Sequence, residues 1–187
     1  MAASTTWPWT TWRRPGTPPP TCSASAAVGW PPSATSRTRP ARPRTAGYRQ
    51  ALARAGLEVD ERLIVSTPHF HRRLGAEAME SLLALPEPPD AVFCYNDLLA
   101  LGAMRALTRA GRRIPDDVAV AGIDDIEEGQ YSTPSLTTVA PDKGEIARQA
   151  VNTLLEAING TTAAPAEIVV PHRLIVREST AGEGAPA

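Results

Sequence analysis

The sequence predicts an α/β fold built on a doubly wound, mainly parallel sheet. Short apolar runs with little polar alternation recur along the chain: RLIVS at 62–66, AVFC at 91–94 and VAVAG at 118–122. Segments with helical spacing of apolar residues separate these runs. Parallel strands that helices cover on both faces are typically apolar throughout, so this alternation favours a parallel sheet.

The same patterns place the individual helices and strands. Helices are predicted at 46–55, 71–85, 98–110 and 142–158, each followed by glycine or proline stop signals. Asn96 or Asp97 stands where an N-cap belongs, and Asp142 can cap the last of these helices. Further extended segments are predicted at 136–140, 167–170 and 174–176.

The charge of the chain is unevenly distributed. The net charge is −1, yet residues 1–49 carry seven arginines and no Asp or Glu, so all 20 acidic residues lie beyond them. All four tryptophans fall in the first 30 residues, and no Leu or Ile precedes Leu52. We therefore divide the chain into an aberrant or disordered N-terminal segment (1–43), a folded portion (44–180) and a disordered tail (181–187).

Three interpretations of residues 1–43 are open. A basic, acid-free stretch could bind nucleic acid, or it could be an organelle transit peptide. The tryptophans and the proline triplet fit neither interpretation well. The third is a frame-shifted stretch, with a single-base insertion or deletion between about Ala34 and Arg44. This hypothesis predicts that the first strand of the folded portion is missing, which would leave its neighbours with unpaired backbone groups.

Several classes of protein are disfavoured by what the sequence lacks. Two cysteines, Cys22 and Cys94, do not suggest a disulfide framework. No apolar run is long enough to span a membrane or to form a secretory signal, so we expect a cytoplasmic protein without a membrane partner. His69 and His71 have no third ligand at a suitable spacing, which predicts no metal site. No nucleophile–base pairing or phosphate loop emerges, and we expect neither a cofactor nor catalytic residues.

In a doubly wound sheet, ligands bind beyond the carboxyl ends of the strands. The polar residues that directly follow the predicted strands are therefore the candidates for a binding site. They lie at 66–70, 95–97 and 124–125.

Five stretches of the chain resemble the lactose-repressor/galactose-repressor (LacI/GalR) family, in order and with its spacing, from about Arg44 to Thr180. They are RTAGYRQAL (44–52), VFCYNDLLALGAMRAL (92–107), IPDDVAVAGIDD (114–125), TPSLTTV (133–139) and RLIVREST (173–180). The resemblance implies a periplasmic-binding-protein-like (type I) core of two lobes, truncated here to mainly the C-terminal lobe. It implies that Ile146, Leu154, Leu155 and Ile158 lack their packing partners. We therefore expect this polypeptide alone to be marginally stable, aggregation-prone, or stable only as an oligomer.

The resemblance also implies four ligand-binding residues: Arg44, Phe70, Asn96 and Asp124. Guanidinium, amide and carboxylate groups suit the hydroxyls of a sugar or similar polyol, and an aromatic face can cover its C–H groups. Structural roles are the alternatives. Asn96 could be a helix cap without any ligand contact, Asp124 could cap a short helix at 126–130, and Phe70 could belong to the core.

The function that the resemblance implies is the ligand-sensing part of a LacI-type transcriptional repressor. A small-molecule effector, a homodimer and operator DNA would be its partners, the DNA only through a helix-turn-helix head absent from this sequence. The alternative is the solute-binding protein of a sugar transporter, which shares the two-lobed core but requires an export signal. An enzyme on the same scaffold is the third possibility, without a catalytic constellation to support it.

Overall fold

The computed structural model describes residues 25–29, 41–160 and 167–183 as one six-stranded sheet with helices. The strands are β1 Ser25–Gly29, β2 Ile64–Ser66, β3 Ala91–Cys94, β4 Ala119–Ile123, β5 Thr137–Pro141 and β6 His172–Ile175. The helices are α1 Ala41–Arg54, α2 Arg72–Leu83, α3 Asp97–Arg109, α4 Glu127–Gln130, α5 Lys143–Ile158 and α6 Glu178–Ala181. A 3-10 turn at Glu61–Leu63 leads into β2.

The sheet has the strand order β2-β1-β3-β4-β5-β6. β1 to β5 are parallel, and β6 pairs antiparallel with β5 at one edge. The chain therefore runs outward from β1 first to β2 and then to β3 on the other side. This reversal confirms the doubly wound α/β fold, and the carboxyl ends of β1, β3 and β4 meet at one edge of the sheet.

The apolar core lies on both faces of the sheet because successive strand residues point to opposite sides. In β3, Val92 packs in a cluster with Leu99 and Leu107 of α3, together with residues of α2. Phe93 packs on the other side with Tyr48 and Leu52 of α1. Helices thus cover both faces, which explains why the strands are apolar without alternation.

Helices α2 and α3 approach each other closely at two glycines. A Cβ on Gly102 would lie 1.9 Å from the backbone oxygen of Arg72, and one on Gly75 would lie 2.1 Å from that of Leu99. Only hydrogen atoms fit at these points. The two glycines therefore set the distance between the helices that form one face of the core.

The expectation that the first strand is missing is wrong. Residues 25–29 form β1 between β2 and β3, with Ala27 opposite Ile64 on one side and opposite Phe93 on the other. Its small apolar side chains are fully buried and fit beneath the helices. The folded part also begins before residue 44, because α1 starts at Ala41. The rest of the predicted N-terminal segment, 1–24 and 30–40, lies outside the described residues, and the frame-shift hypothesis stays a prediction.

Two smaller differences concern the C-terminal part. Residues 167–170, predicted as a strand, form no strand in the structure, and Val169 is 84% exposed. These residues pair with no strand of the described sheet, so their backbone lacks the hydrogen-bond partners that a strand requires. At the other end, α6 includes Ala181, so the first residue of the predicted tail is helical. Residues 184–187 lie outside the described part.

Helix α5 carries a row of exposed apolar side chains, and none of its residues is buried. Ile146, Leu154, Leu155 and Ile158, which were expected to lack packing partners, are each between 43% and 71% exposed within the described residues. Val151 on the same helix is 54% exposed. An exposed row of large apolar side chains is typical of a surface that contacts another protein domain or subunit.

Candidate functional site

Arg44 lies in the first half of α1, above the carboxyl edge of the sheet. Its Nη1 donates a 2.6 Å hydrogen bond to the backbone oxygen of Tyr95, the residue after β3. Partial burial lowers the pKa of Arg44, while the carboxylate of Asp124 opposes this shift. The guanidinium is therefore held at the end of β3 and interacts electrostatically with the carboxylate of Asp124 at the end of β4.

Asp124 directly follows β4 and is half-buried. Desolvation raises its pKa, and the positive charges of Arg44 and Lys143 act against this shift. Its backbone N–H donates to the oxygen of Val139 in β5. Within the described part of the chain, no hydrogen bond or ion pair occupies its carboxylate. These oxygens are available to accept hydrogen bonds from a ligand.

Phe70 lies between the core and the site. The guanidinium carbon of Arg44 is 6.0 Å from the centroid of its ring, at the outer limit of a cation–π contact. The ring also packs against both apolar clusters, yet it is not fully buried. The structure therefore gives Phe70 a share in the core and leaves part of the ring accessible beside Arg44.

Asn96 is the N-cap of α3. Its Oδ1 accepts a 2.9 Å hydrogen bond from the backbone N–H of Leu99, and the residue is 6% exposed. The structural alternative for Asn96, a helix cap, is thus realised in the geometry. A contact between Asn96 and a ligand stays a prediction.

The loop after β4 has an uncommon backbone conformation. Asp124 and Asp125 both have positive φ angles, 116° and 49°, which side-chain-bearing residues rarely adopt. Neither residue caps α4, because the N-cap of that helix is Ile126 and no side chain caps it. Such a conformation persists only when its surroundings hold it in place.

The neighbours of this loop provide that support. Asp97 is fully buried, and its Oδ2 accepts a 3.0 Å bond from the backbone N–H of Ile126. Its Oδ1 accepts a 2.7 Å bond from the hydroxyl of Thr138. Burial raises the pKa of Asp97 to about 6, against the hydrogen bonds that favour its charged form. Gly122 leaves room for this carboxylate, since a Cβ there would lie 2.1 Å from Oδ1.

Tyr95 holds Arg44 in place, because its backbone oxygen accepts the hydrogen bond from the guanidinium. Its hydroxyl lies 2.5 Å from the hydroxyl of Thr45, the neighbour of Arg44 in α1, and the residue is 1% exposed. Gly29 at the end of β1 accommodates its ring, because a Cβ there would lie 1.9 Å from ring carbon Cδ2. The site thus rests on a buried tyrosine that ties α1 to the sheet.

The segments 133–139 and 173–180, which are distant in sequence, contact each other through buried and part-buried polar groups. Glu178 accepts hydrogen bonds from both the N–H and the hydroxyl of Ser135. The hydroxyl of Ser179 donates to the backbone oxygen of Val120 and accepts from the N–H of Thr137. These residue types are required for structure, since each hydroxyl or carboxylate satisfies a specific backbone group.

The histidine pair forms no metal site. The rings of His69 and His71 lie 5.6 Å apart, tilted by 39°. Across residues 25–29, 41–160 and 167–183, no group of three or more potential ligands could hold a metal ion. None of the helices in these ranges combines the length and apolar character that crossing a bilayer requires.

Comparison with known proteins places this arrangement in a family. The profile of the periplasmic binding protein-like domain matches residues 23–180, from β1 and its flanks to α6. The chain belongs to this family. The match begins upstream of the predicted boundary at residue 44, in agreement with the position of β1 in the sheet.

The relatives in this family are LacI-type regulators, which confirms the resemblance. The chain is 40% identical over 137 residues to the transcriptional repressor CytR of Escherichia coli (strain K12) and 41% identical over 136 residues to the regulator CelR of Thermobifida fusca. Each alignment covers 73% of this chain and 40% of the relative. The chain therefore spans less than half the length of these relatives.

Solved structures of LacI-type regulators share the fold. A regulator from Sanguibacter keddieii is 45% identical with a TM-score of 0.75, covering 83% of this chain and 59% of the other. A complex of CelR with cellobiose is 35% identical with a TM-score of 0.76, covering 85% and 47%. In both structures the polypeptide extends beyond the part that aligns with this chain.

The structure brings Arg44, Phe70 and Asp124, three of the four predicted ligand-binding residues, together at one edge of the sheet. Their contact with a ligand stays a prediction. The sequence did not predict the support that Tyr95 and, above all, Asp97 provide. The signal for Asp97 was present, since only one of Asn96 and Asp97 can be the N-cap, which leaves the other polar residue without a role. The partners of Asp97 lie 29 and 41 residues away, so spacing could not reveal them.

Proposed function

We propose that this chain is the effector-binding part of a LacI-type transcriptional repressor and that it binds a neutral polyol, such as a sugar. One observation carries the ligand class. Arg44 and Asp124 offer opposite charges at neighbouring strand ends, next to the partly accessible ring of Phe70. The two charges balance, so the site favours a ligand with hydroxyl groups over one with a net charge.

The named relatives support the regulatory role. CytR and CelR are described as transcriptional regulators, and CelR forms a complex with cellobiose. Cellobiose is a sugar, which agrees with the chemistry of the site. A solute-binding role in transport has no comparable support among these relatives. A regulator of this type would act in the cytoplasm, and we assign it no enzymatic activity.

In the full regulator we propose that the chain works as a homodimer and reaches operator DNA through a separate head. Ligand binding would then be coupled to DNA binding, each changing the affinity of the other by the same factor. The exposed apolar face of α5 supports a larger assembly, since a solvated row of five large apolar residues is unfavourable in an isolated domain.

A ligand screen by thermal shift tests the proposed function. Cellobiose, common monosaccharides and nucleosides are added to the chain and to its Arg44→Ala and Asp124→Ala variants. A ligand at 100 times its dissociation constant stabilises the fold by about 2.7 kcal/mol, so a sugar that binds is readily seen. We expect both variants to lose this shift. Arg49→Ala is the control, because Arg49 lies on the same helix in an exposed ion pair with Glu61.

Sequencing of the gene and of several hundred bases upstream tests the wider role. An upstream segment that encodes a helix-turn-helix in the same reading frame as Arg44 would support the regulatory role. An export signal at that position would contradict the regulatory role. The same data test the frame-shift hypothesis for residues before Arg44. One continuous frame that also encodes homologous N-termini in related genes would contradict that hypothesis.

A further inference from the structure

The carboxylate that carries the proposed site, Asp124, lies on a loop that a buried polar network holds in place. The carboxylate of Asp97 accepts from the N–H of Ile126, and the hydroxyl of Thr138 donates to Asp97. The same hydroxyl accepts a 3.3 Å bond from the N–H of Asp125. Two successive backbone N–H groups of the loop therefore end on one buried pair of side chains.

The conformation held by this pair is an unfavourable one. Asp124 has φ 116° and Asp125 has φ 49°, and neither residue is a glycine. Residues in such regions relax unless the surrounding structure determines their conformation. Three further hydrogen bonds of the described residues hold these two residues, and none of them involves Asp97 or Thr138. They are the N–H of Asp124 to Val139, Lys143 to the oxygen of Asp125, and Arg177 to its carboxylate.

We infer that Asp97 and Thr138 are positioning residues that hold the loop 124–126 in the backbone conformation which presents the Asp124 carboxylate beside Arg44. Neither needs to touch the ligand, since Asp97 and Thr138 are both 0% exposed. Their role in binding rests on the proposed function. Their effect on the loop does not, because it follows from the hydrogen bonds alone.

Thr138→Val is the substitution that tests the inference. It keeps the shape of the side chain and removes the hydroxyl, so the bonds from Asp125 and to Asp97 are both lost. Thr138→Ser is the conservative rescue, because serine keeps the hydroxyl. Ser179→Ala is the matched control. Ser179 is also fully buried and also loses two hydrogen bonds, to Val120 and from Thr137, but it does not contact the loop.

The measurement is amide hydrogen exchange by NMR on the full chain at pH 7, without ligand. In Thr138→Val we expect exchange at Asp125 and Ile126 to accelerate about tenfold beyond the change at the amides of β3, because the loop is no longer held. Thr138→Ser should restore the slow exchange. In Ser179→Ala, any acceleration should be the same in the loop and in β3. Equal acceleration in the loop and in β3 for Thr138→Val would overturn the inference.

Binding of cellobiose as a probe separates the two proposals. If the loop positions Asp124 for the ligand, Thr138→Val should weaken cellobiose binding about tenfold, whereas Ser179→Ala should change it less than about twofold. Unchanged affinity in Thr138→Val would overturn the positioning role in binding. If the unsubstituted chain does not bind cellobiose, this result counts against the proposed function and not against the positioning of the loop. The exchange data still decide whether Asp97 and Thr138 hold the loop.

Discussion

Arg177, which precedes α6, donates a 2.6 Å hydrogen bond from Nη2 to Oδ1 of Asp125 in the loop after β4. The two side chains are only 9% and 19% exposed. Arg177 also donates from Nη1 to the backbone oxygen of Leu136. One arginine thus joins the end of the chain to the loop of the candidate site, 52 residues earlier.

This pair leads to a first prediction about stability. Arg177→Met keeps much of the side-chain volume but leaves the carboxylate of Asp125 and the oxygen of Leu136 without their donor. We expect the free energy of unfolding to fall by about 3 kcal/mol, as for other buried pairs that lose one partner. Urea denaturation measures it. The control, Arg62→Met, breaks an exposed pair with Asp60 and should leave the free energy of unfolding nearly unchanged. Similar losses in both variants would contradict the structural role of Arg177.

A second prediction concerns the close contact of α2 and α3. Gly102→Ala places a methyl group 1.9 Å from the backbone oxygen of Arg72, so the helices must separate. We expect a loss of about 1–3 kcal/mol. In Gly47→Ala, on α1, the added methyl group meets no atom within 4 Å, and the better helix propensity of alanine should stabilise by about 0.5–1 kcal/mol. Thermal denaturation of the two variants measures this contrast, and equal effects would show that the helices are not closely packed.

The buried carboxylate of Asp97 predicts a dependence of stability on pH. Its pKa is raised from 3.8 to about 6, mainly by desolvation. Between these values the folded chain binds more protons than the unfolded chain, so the free energy of unfolding falls as the pH rises from about 4 to 6. A shift of two pKa units corresponds to about 3 kcal/mol.

Asp97→Asn removes this contribution, because the amide does not titrate. Urea denaturation at pH 4, 5, 6 and 7 should show a smaller decline for Asp97→Asn than for the unsubstituted chain. Asp124, whose pKa is also raised, is present in both proteins and cancels in the difference. Parallel profiles would contradict the burial of a charged Asp97.

The exposed face of α5 predicts that the chain binds apolar dyes or self-associates. Because Leu154 and Leu155 are more than half exposed, replacing both with Gln should reduce dye fluorescence and change the free energy of unfolding by less than about 1 kcal/mol. Leu107→Ala, in the core, should instead cost about 2–5 kcal/mol. A cooperative monomeric transition without dye binding by the unsubstituted chain would contradict this prediction.

The sequence predicted those elements whose signals are local. The start of α3 followed from Asn96 or Asp97, each a good N-cap after an apolar run, and the structure shows that Asn96 is the cap. The start of α5 followed from Asp142. β1 could not be recognised this way, since SAAVG has one β-branched residue and lies in a stretch of unusual composition. Parallel pairing on both sides, to β2 and β3, makes it a strand. Local pattern carries no information about such long-range pairing.

The same distinction applies to the site. Resemblance to a family predicted Arg44, Phe70 and Asp124 as ligand-binding residues. Arg44 and Asp124 lie within matched motifs, whereas Phe70 lies between two of them. The resemblance could not distinguish the ligand-binding role of Asn96 from its role as a cap, and the structure shows the cap. The hydrogen bonds of Asp97 join the start of α3, the loop after β4 and strand β5, which only the folded chain brings together.

In the proposed function, a sugar-like effector binds at the carboxyl edge of the sheet between Arg44 and Asp124. Its binding is measured by titration of the isotope-labelled chain with the sugar found by thermal shift, followed by amide NMR. We expect the largest chemical-shift changes at residues 44, 70, 96 and 124, and we expect Asp124→Ala to abolish them. Shifts centred elsewhere, or persisting unchanged in Asp124→Ala, would contradict it.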